Sequence, residues 1–338
     1  MDKKIITIKD IAKEAGVSIA TVSAVVNQTK YVSGELEGRV KHAIRKLGYR
    51  PNRIARSLKS KRSMLLGVTV TEVTNPFYPL LLKGIEEIAL KNGYNLLLLT
   101  TGDDEQKEYK LVESMIEHSI DGLILSTIDS QNSKVLNLLN EENIKYVLIN
   151  RAPTNFQGSM VCPDSYKVGL IATNYLIKLG HRDIAFMGGR RQNGVLRENG
   201  FRKAMEDHKI SINKDWVLDG GYSTEEAFFV TEKLIKTGKT PTAIFTANDL
   251  MAFGVARAFL KNGFGIPEDV SVIGSDNIPF TEDFRIPLTT VDVNKFKMGR
   301  LGCEFIFKQL LGEEVIHEQE LLEPELIVRE STGYLKLG

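Results

Sequence analysis

The apolar positions of this chain run at helical spacing near its start and then settle into alternating short runs and helical stretches. Ile8, Ile11, Ala12 and Ala15 fall at i, i+3, i+4 and i+7, which predicts an amphipathic helix with Thr7 as its N-cap. Gly16 stops that helix, Val17 turns inward, and Ser18 caps a second helix reaching about Asn27. The inward stripe of the second helix is Val22, Val25 and Val26, so Ile19, Ala20, Ser23, Ala24 and Asn27 face away from its partner. A third helix, Leu36 to Leu47, buries Leu36, Val40, Ala43, Ile44 and Leu47. Two short helices joined by a glycine turn make a helix-turn-helix, whose second helix can lie in the DNA major groove.

From Met64 the pattern changes. Leu65 to Val70, Tyr94 to Leu99, Gly122 to Leu125 and Tyr146 to Ile149 are aliphatic runs separated by helix-period segments near 78–92, 105–118 and 132–142. A second series follows: Ile184 to Met187, Trp216 to Leu218, Ala243 to Thr246 and Val270 to Ile273, alternating with helices near 165–179, 195–208, 224–237 and 249–262. Continuous apolar strands divided by helices predict buried parallel sheet. The fold class is therefore an α helix-turn-helix head followed by an α/β body of two doubly wound parallel-sheet halves.

Charge sharpens the division. The formal net charge is only +1, yet residues 1–62 hold 15 Lys and Arg against 5 Asp and Glu, leaving 29 against 38 for the rest. A basic head attracts a polyanion by neutralising phosphates, and an acidic body is repelled by it. At 42% hydrophobic and 26% charged, the chain is neither disordered nor collagenous. No apolar run approaches the roughly 20 residues of a membrane helix, and the N-terminus lacks the order of a secretory signal, so a cytoplasmic protein without a membrane role is expected.

Ligands of doubly wound sheets bind beyond the carboxyl ends of the strands. The polar residues there are Asn75-Pro-Phe77, Asn150-Arg151, Asn248-Asp249 and Ser275-Asp276, with Arg197 near the start of its helix. Carboxylate, amide and guanidinium groups pair with hydroxyls, and Phe77 and Tyr222 can cover an apolar ring face, so a small polyhydroxylated ligand is expected.

Thr7 to Ser23, read as Thr-Ile-Lys-Asp-Ile-Ala-Lys-Glu-Ala-Gly-Val-Ser-Ile-Ala-Thr-Val-Ser, followed by Val25-Val-Asn27 and Val32-Ser33, closely resembles the head of the lac-repressor (LacI/GalR) family of transcription regulators. Tyr49 to Leu58 resembles that family's hinge. In the body, Thr74 to Tyr78, Leu179 to Ala185, Arg197 to Phe201, Thr246 to Asp249 and Pro267 to Gly274 are similar to family words in the same order. The resemblance implies a periplasmic-binding-protein-like body. It also implies a division into a DNA-binding domain at 1–50, a hinge at 51–62, and an effector and dimerisation domain at 63–338. The first half of the body would comprise about 63–161 and 293–323, and the second about 162–292 and 324–338.

Carried over by position, the resemblance assigns Ile19 and Ala20 to base edges. Ser18, Thr21, Ser23, Asn27, Tyr31 and Ser33 fall mainly on phosphate or sugar, with Lys9 adding a contact. Asn52, Arg53 and Ala55 lie near the minor groove, and Leu58 is the wedge between base steps. A hinge helix of about eight residues is below the roughly 12–15 needed for stability alone, so it orders against a second copy on DNA. Ala24 departs from an Arg frequent in the family, so a base that Arg would contact bidentately is either not read here or is read through a methyl contact. The implied effector contacts are Phe77, Asp164, Arg197, Tyr222, Asn248 and Asp276. Ser275 and Asn277 depart from a frequent aromatic and a frequent Asp, which changes pocket shape.

The expected partners are near-palindromic double-stranded operator DNA, a second copy in a homodimer, and a small sugar-like effector controlling genes of carbohydrate use. A nucleobase or phosphorylated effector is the alternative, and a sugar-binding protein without a DNA role is the rival class, opposed by the basic head. No leucine-heptad tail is present, so a dimer is expected rather than a tetramer. No cofactor, metal site or enzyme activity is expected. The five histidines show no ligand spacing, GxSxG, P-loop and GxGxxG motifs are absent, and Cys162 and Cys303 read as small core residues. The glycine-rich stretch Gly188 to Gly194 lacks the P-loop Lys and reads as a mobile loop at the pocket mouth.

Overall fold

The computed structural model describes residues 6–27, 30–49, 62–312 and 318–336. The chain divides into two compact units, residues 1–63 and 64–338.

The first unit is three helices: α1 (Ile8–Ala15), α2 (Ile19–Asn27) and α3 (Gly34–Leu47). At the start of α1 the Thr7 amide and hydroxyl both donate to the Asp10 carboxylate, at 2.8 and 2.6 Å. Gly16 ends α1 in the left-handed region at φ 62°, where Arg39 of α3 donates to the Ala15 and Gly16 carbonyls at 3.0 and 3.1 Å. Ile11, Ala12, Ala15, Val22, Val40 and Ala43 form the core, with Val25, Val26, Ile44 and Leu47 half-buried around it. Helix α3 begins two residues before the first apolar position, Leu36, because its first turn is polar and Ser33 already supplies the extended residue that precedes it.

The second unit contains two six-stranded sheets. The first lobe runs β1 (Leu65–Val70), α4 (Phe77–Lys91), β2 (Asn95–Thr100), α5 (Glu105–Glu117), β3 (Gly122–Leu125), α6 (Lys134–Glu141), β4 (Lys145–Ile149) and β5 (Met160–Pro163). The second runs α7 (Ser165–Lys178), β6 (Ile184–Gly188), α8 (Gln192–Asp207), β7 (Val217–Asp219), α9 (Thr224–Lys236), β8 (Ala243–Thr246), α10 (Asp249–Lys261), β9 (Ser271–Asp276) and β10 (Thr289–Asp292). The chain then returns through α11 (Lys295–Leu311) and β11 (Gln319–Leu322) to the first sheet and ends with β12 (Glu325–Ile327) on the second. The orders are β11-β5-β4-β3-β1-β2 and β12-β10-β9-β8-β6-β7, every pair parallel except β10 with β12.

Helix α11 packs against α4 backbone to backbone: a Cβ on Gly299 would lie 2.1 Å from the Leu81 carbonyl oxygen, so only glycine permits this approach. Two details differ from the sequence reading. Trp216 closes a short 3-10 turn and the strand begins at Val217, and Gly188 to Gly194 is mostly regular structure, since Gly188 ends β6 and Gln192 opens α8. Both cysteines are free and buried, and burial pushes each thiol up to about 12, which leaves them inert. Among the described residues, no helix is long and apolar enough to cross a membrane and no group of His, Cys, Asp and Glu could hold a metal ion.

Candidate DNA-contact face and effector cleft

In the first unit, Ser18 is the N-cap of α2, and its hydroxyl accepts from the Thr21 amide at 3.0 Å and lies 2.9 Å from the Thr21 hydroxyl. With Ser18 capping, the exposed side chains at the start of α2 are Ile19 and Ala20, and Ile19 is 45% exposed although apolar. Thr21, Ser23 and Asn27 are half-buried on the same helix, and the Asn27 amide donates to the Ser23 carbonyl at 2.9 Å and the Ser23 hydroxyl at 3.2 Å. Lys9, Tyr31 and Ser33 are exposed, Tyr31 at 95%. Asn52, Arg53, Ala55 and Leu58 lie outside the described residues.

In the second unit the chemistry gathers where the strands end. Both sheets change winding direction at their centres, between β1 and β3 in one and between β6 and β8 in the other, which opens a crevice at each set of carboxyl ends. Arg197 sits one turn into α8, and α8 is drawn close because Gly169 of α7 lies under the Arg197 backbone: a Cβ there would be 2.1 Å from its carbonyl oxygen. The Arg197 side chain is 1% exposed. It donates to the Ala247 carbonyl, to the Ser275 hydroxyl at 3.0 Å and to the Asp276 carboxylate at 3.2 Å. Its Nε and the Tyr222 hydroxyl are buried with no hydrogen-bond partner among the described residues.

Asn248 caps α10 by accepting from the Met251 amide at 2.8 Å, and its own amide reaches the Tyr222 carbonyl at 3.4 Å. Thus Arg197 pairs with Asp276 and Asn248 with Tyr222, and the Arg197 bond to the carbonyl of Ala247, the residue before Asn248, brings the two pairs together. Phe77 and Asp164 stand on other elements. Phe77 is buried at the start of α4, edge-on to Tyr78 with ring centroids 5.3 Å apart, and Asp164 caps α7 by accepting from the Lys167 amide at 3.0 Å. One face of the Tyr222 ring is already covered by the Arg191 guanidinium, 4.2 Å from its centroid.

The facing wall was not singled out by the sequence reading beyond Arg151. Arg151, after β4, is 4% exposed and pairs with Asp103, after β2, and with Asp129, after β3, the latter at 2.6 Å. Asp103 also meets Arg191 of the other lobe at 2.6 Å, Asp129 accepts from the Gln192 amide at 3.2 Å, and Gln192 donates to the Thr154 hydroxyl at 2.8 Å. These contacts span the cleft. Burial alone would raise Asp103, but the two guanidiniums outweigh it and hold it below the usual range. Burial wins at Asp129, which is raised. Burial also raises Glu108, which is held by Thr127 and Thr69, and pushes Tyr222 up to about 12.

Asp103, Glu108, Asp129, Arg151, Arg191 and Tyr222 line a cavity of about 380 Å³, a size suited to one small molecule. A larger groove of about 590 Å³ has walls from α5, α6 and the residues at their starts alone and includes none of the Arg197 group, whereas the 380 Å³ cavity shares Tyr222 with that group but not Arg197, Asn248 or Asp276. The signal for the facing wall was available: Asp103 and Asp129 are polar residues just past aliphatic runs, the same rule that marked Asn150-Arg151.

Residues 7–52 match the bacterial regulatory proteins of the lacI family, and residues 173–332 match the periplasmic binding protein-like domain. An HTH-type transcriptional repressor PurR of Histophilus somni is 37% identical over 333 residues, covering 97% of this chain and 99% of that protein. Among solved structures, the lac repressor dimer bound to operator and the anti-inducer ONPF superposes with a TM-score of 0.87 at 25% identity, covering 98% of this chain and 100% of that one. A complex of the transcriptional regulator CelR with cellobiose gives a TM-score of 0.73 at 29% identity, covering 96% and 99%. This chain, a helix-turn-helix head joined to a periplasmic-binding-protein-like body, belongs to the lacI family of bacterial regulatory proteins.

Proposed function

We propose that this chain is a ligand-controlled transcriptional repressor whose operator affinity changes when a small effector binds between the lobes of its body. The observation that carries the reading is the Arg197 group: at the carboxyl ends of the strands, the buried Arg197 Nε and the buried Tyr222 hydroxyl both have no hydrogen-bond partner among the described residues. In this reading Ile19 and Ala20 read base edges, while Lys9, Ser18, Thr21, Ser23, Asn27, Tyr31 and Ser33 position the head on phosphate and sugar. Asn52, Arg53, Ala55 and Leu58 form the hinge contacts. Two copies bind the half-sites of a near-palindrome, in keeping with the lac repressor dimer among the structural neighbours.

For the effector, a free nucleobase now stands ahead of the sugar expected from the sequence. The curated relatives that favour it carry the name PurR and match at 34–37% along almost the whole chain, more closely than the cellobiose-bound neighbour at 29%. A planar base also suits a site built from guanidinium, amide and carboxylate around one aromatic ring. The sugar remains a second reading because of that cellobiose complex. A phosphorylated effector is a third reading, since Arg151, Arg190 and Arg191 line the cavity together with Asp103, Glu108 and Asp129.

Calorimetric titration with the free nucleobases, ribose and cellobiose separates the readings. The account expects binding of a base, lost in Arg197→Ala; binding of a sugar alone would replace the effector assignment, and normal binding by Arg197→Ala would move the site. Leu58→Gly tests the hinge separately: operator affinity should fall sharply with effector affinity kept, and unchanged operator affinity would remove the wedge.

A further inference from the structure

A buried ammonium group lies directly behind the effector site and plays no part in the contacts assigned above. Lys295 is the first residue of α11, the helix that leaves the second lobe to pack on α4 of the first, and it is 3% exposed. Its Nζ donates to the backbone carbonyl of Asp276 and, at 3.1 Å, to that of Asn277, and lies 3.4 Å from the Asp292 carboxylate.

The two residues whose carbonyls it holds are in an unusual conformation. Asp276 has φ 115° and Asn277 φ 52°, two successive left-handed residues without a glycine. Such a turn persists only where its surroundings over-determine it. The Asn277 side chain accepts from Arg329 at 2.9 Å and donates to Asp292 at 3.0 Å, and the Asn277 backbone amide donates to the Thr290 hydroxyl at 3.2 Å. The carbonyl groups themselves turn to Lys295. The same turn directs the Asp276 carboxylate to Arg197.

We propose that Lys295 is a positioning residue of the effector site: it holds the Asp276-Asn277 turn from behind, so that Asp276 fixes Arg197, and it ties that turn to the helix running into the first lobe. Lysine suits the role because a compact ammonium can bond two adjacent carbonyls and a carboxylate at once. An apolar side chain of similar length fills the space but leaves the turn unheld. The inference rests on the effector reading above for its functional half, and on the turn geometry alone for its structural half.

The full-length chain and its Lys295→Met and Lys295→Arg variants test both halves. In Lys295→Met, exchange of the Asn277 and Ile278 amides should quicken by about ten-fold or more, the scale of one lost charge-assisted bond, while β8 exchanges as before and Lys295→Arg restores much of the protection. Unchanged exchange at 277–278 overturns the proposal. Guanine, titrated calorimetrically, should bind Lys295→Met about ten-fold more weakly, with operator affinity in its absence unchanged. Equal guanine affinity in the folded variant overturns the positioning role. If the native protein binds no guanine, the other free nucleobases take its place in the titration; if none binds, the nucleobase reading fails instead, and the exchange experiment still decides whether Lys295 holds the turn.

Discussion

Arg197 of α8 and Asp276 at the end of β9, 79 residues apart in the chain, face each other at 3.2 Å with both side chains buried. The pair joins a helix that starts at the cleft to the strand end beside the crossover, and it leaves the Arg197 Nε without a protein partner among the described residues. Removing either partner leaves the other charge buried and uncompensated.

Arg197→Ala should therefore do two things at once. It should cost about 3–5 kcal/mol of stability in urea denaturation, because Asp276 loses its cation. It should also abolish the effector response while operator binding by the folded fraction persists. A variant with native stability and a native response would show that the pair carries neither role.

Asp249 provides a pH signature. Its carboxylate, fully buried, accepts from the Thr290 hydroxyl at 2.6 Å and the Ile278 amide at 2.9 Å. Burial raises it above the ordinary range and the neighbouring Asp276 raises it further. A folded-state value above the unfolded one means that the folded protein keeps a proton the unfolded chain releases. The contribution is complete below the ordinary aspartate value of about 3.9 and is lost as pH rises through the folded value. Asp249→Asn, which cannot ionise, should gain on the native protein as pH rises across the neutral range. A stability gap independent of pH would contradict this.

How much of this was legible in the sequence depended on the length of each signal. Leu65 to Val70 is β1 as read, because a fully covered parallel strand needs a continuous apolar run. Strands β5, β10 and β11 are as long as β3 and β8, and β12 is barely shorter, but they carry Pro163, Thr289, Thr290, Asp292, Gln319, Glu320 or Glu325 among their three or four residues and so offer no continuous apolar run. Trp216 was drawn into its strand by its aromatic character, yet the capping bond from the Asp215 amide to the Asn213 carboxamide oxygen makes that stretch a turn. In the site, Arg197, Asn248 and Asp276 were legible as polar residues at strand ends or a helix start. The Asp103, Asp129 and Arg191 contacts were not, since pairing across the cleft depends on how two lobes meet, which no local pattern encodes.

The ion pair between Asp103 and Arg191 is part of the contact between the lobes, and Asp103 is partly exposed. Asp103→Asn should speed effector release roughly five-fold, corresponding to about 1 kcal/mol for a partly screened pair, and should also lower fold stability, because Asp103 pairs with the buried Arg151 as well. Stopped-flow displacement measures this. An unaltered release rate would show that the bond does not restrain opening.

Two neighbouring positions on α2 separate support from readout. Ser18→Ala removes the cap on Thr21 and should lower the stability of the head by about 1 kcal/mol, weakening all operator sequences alike. Ile19→Ala keeps the cap but changes an exposed apolar contact, so it should alter the preferred bases at one position of each half-site. Binding-site selection with both variants checks the distinction, and an unchanged base preference in Ile19→Ala would take that residue off the base edges.

The central claim is that one chain links effector binding to operator binding. The most direct measurement is the affinity of the full-length protein for a near-palindromic site selected from random DNA, by fluorescence anisotropy at fixed salt, across a titration of each free nucleobase and sugar. The account predicts that one ligand, a nucleobase, shifts operator affinity by roughly 5- to 150-fold, with the equal reciprocal shift in ligand affinity when DNA is present. Operator affinity that stays constant under a ligand shown to occupy the cleft would contradict it.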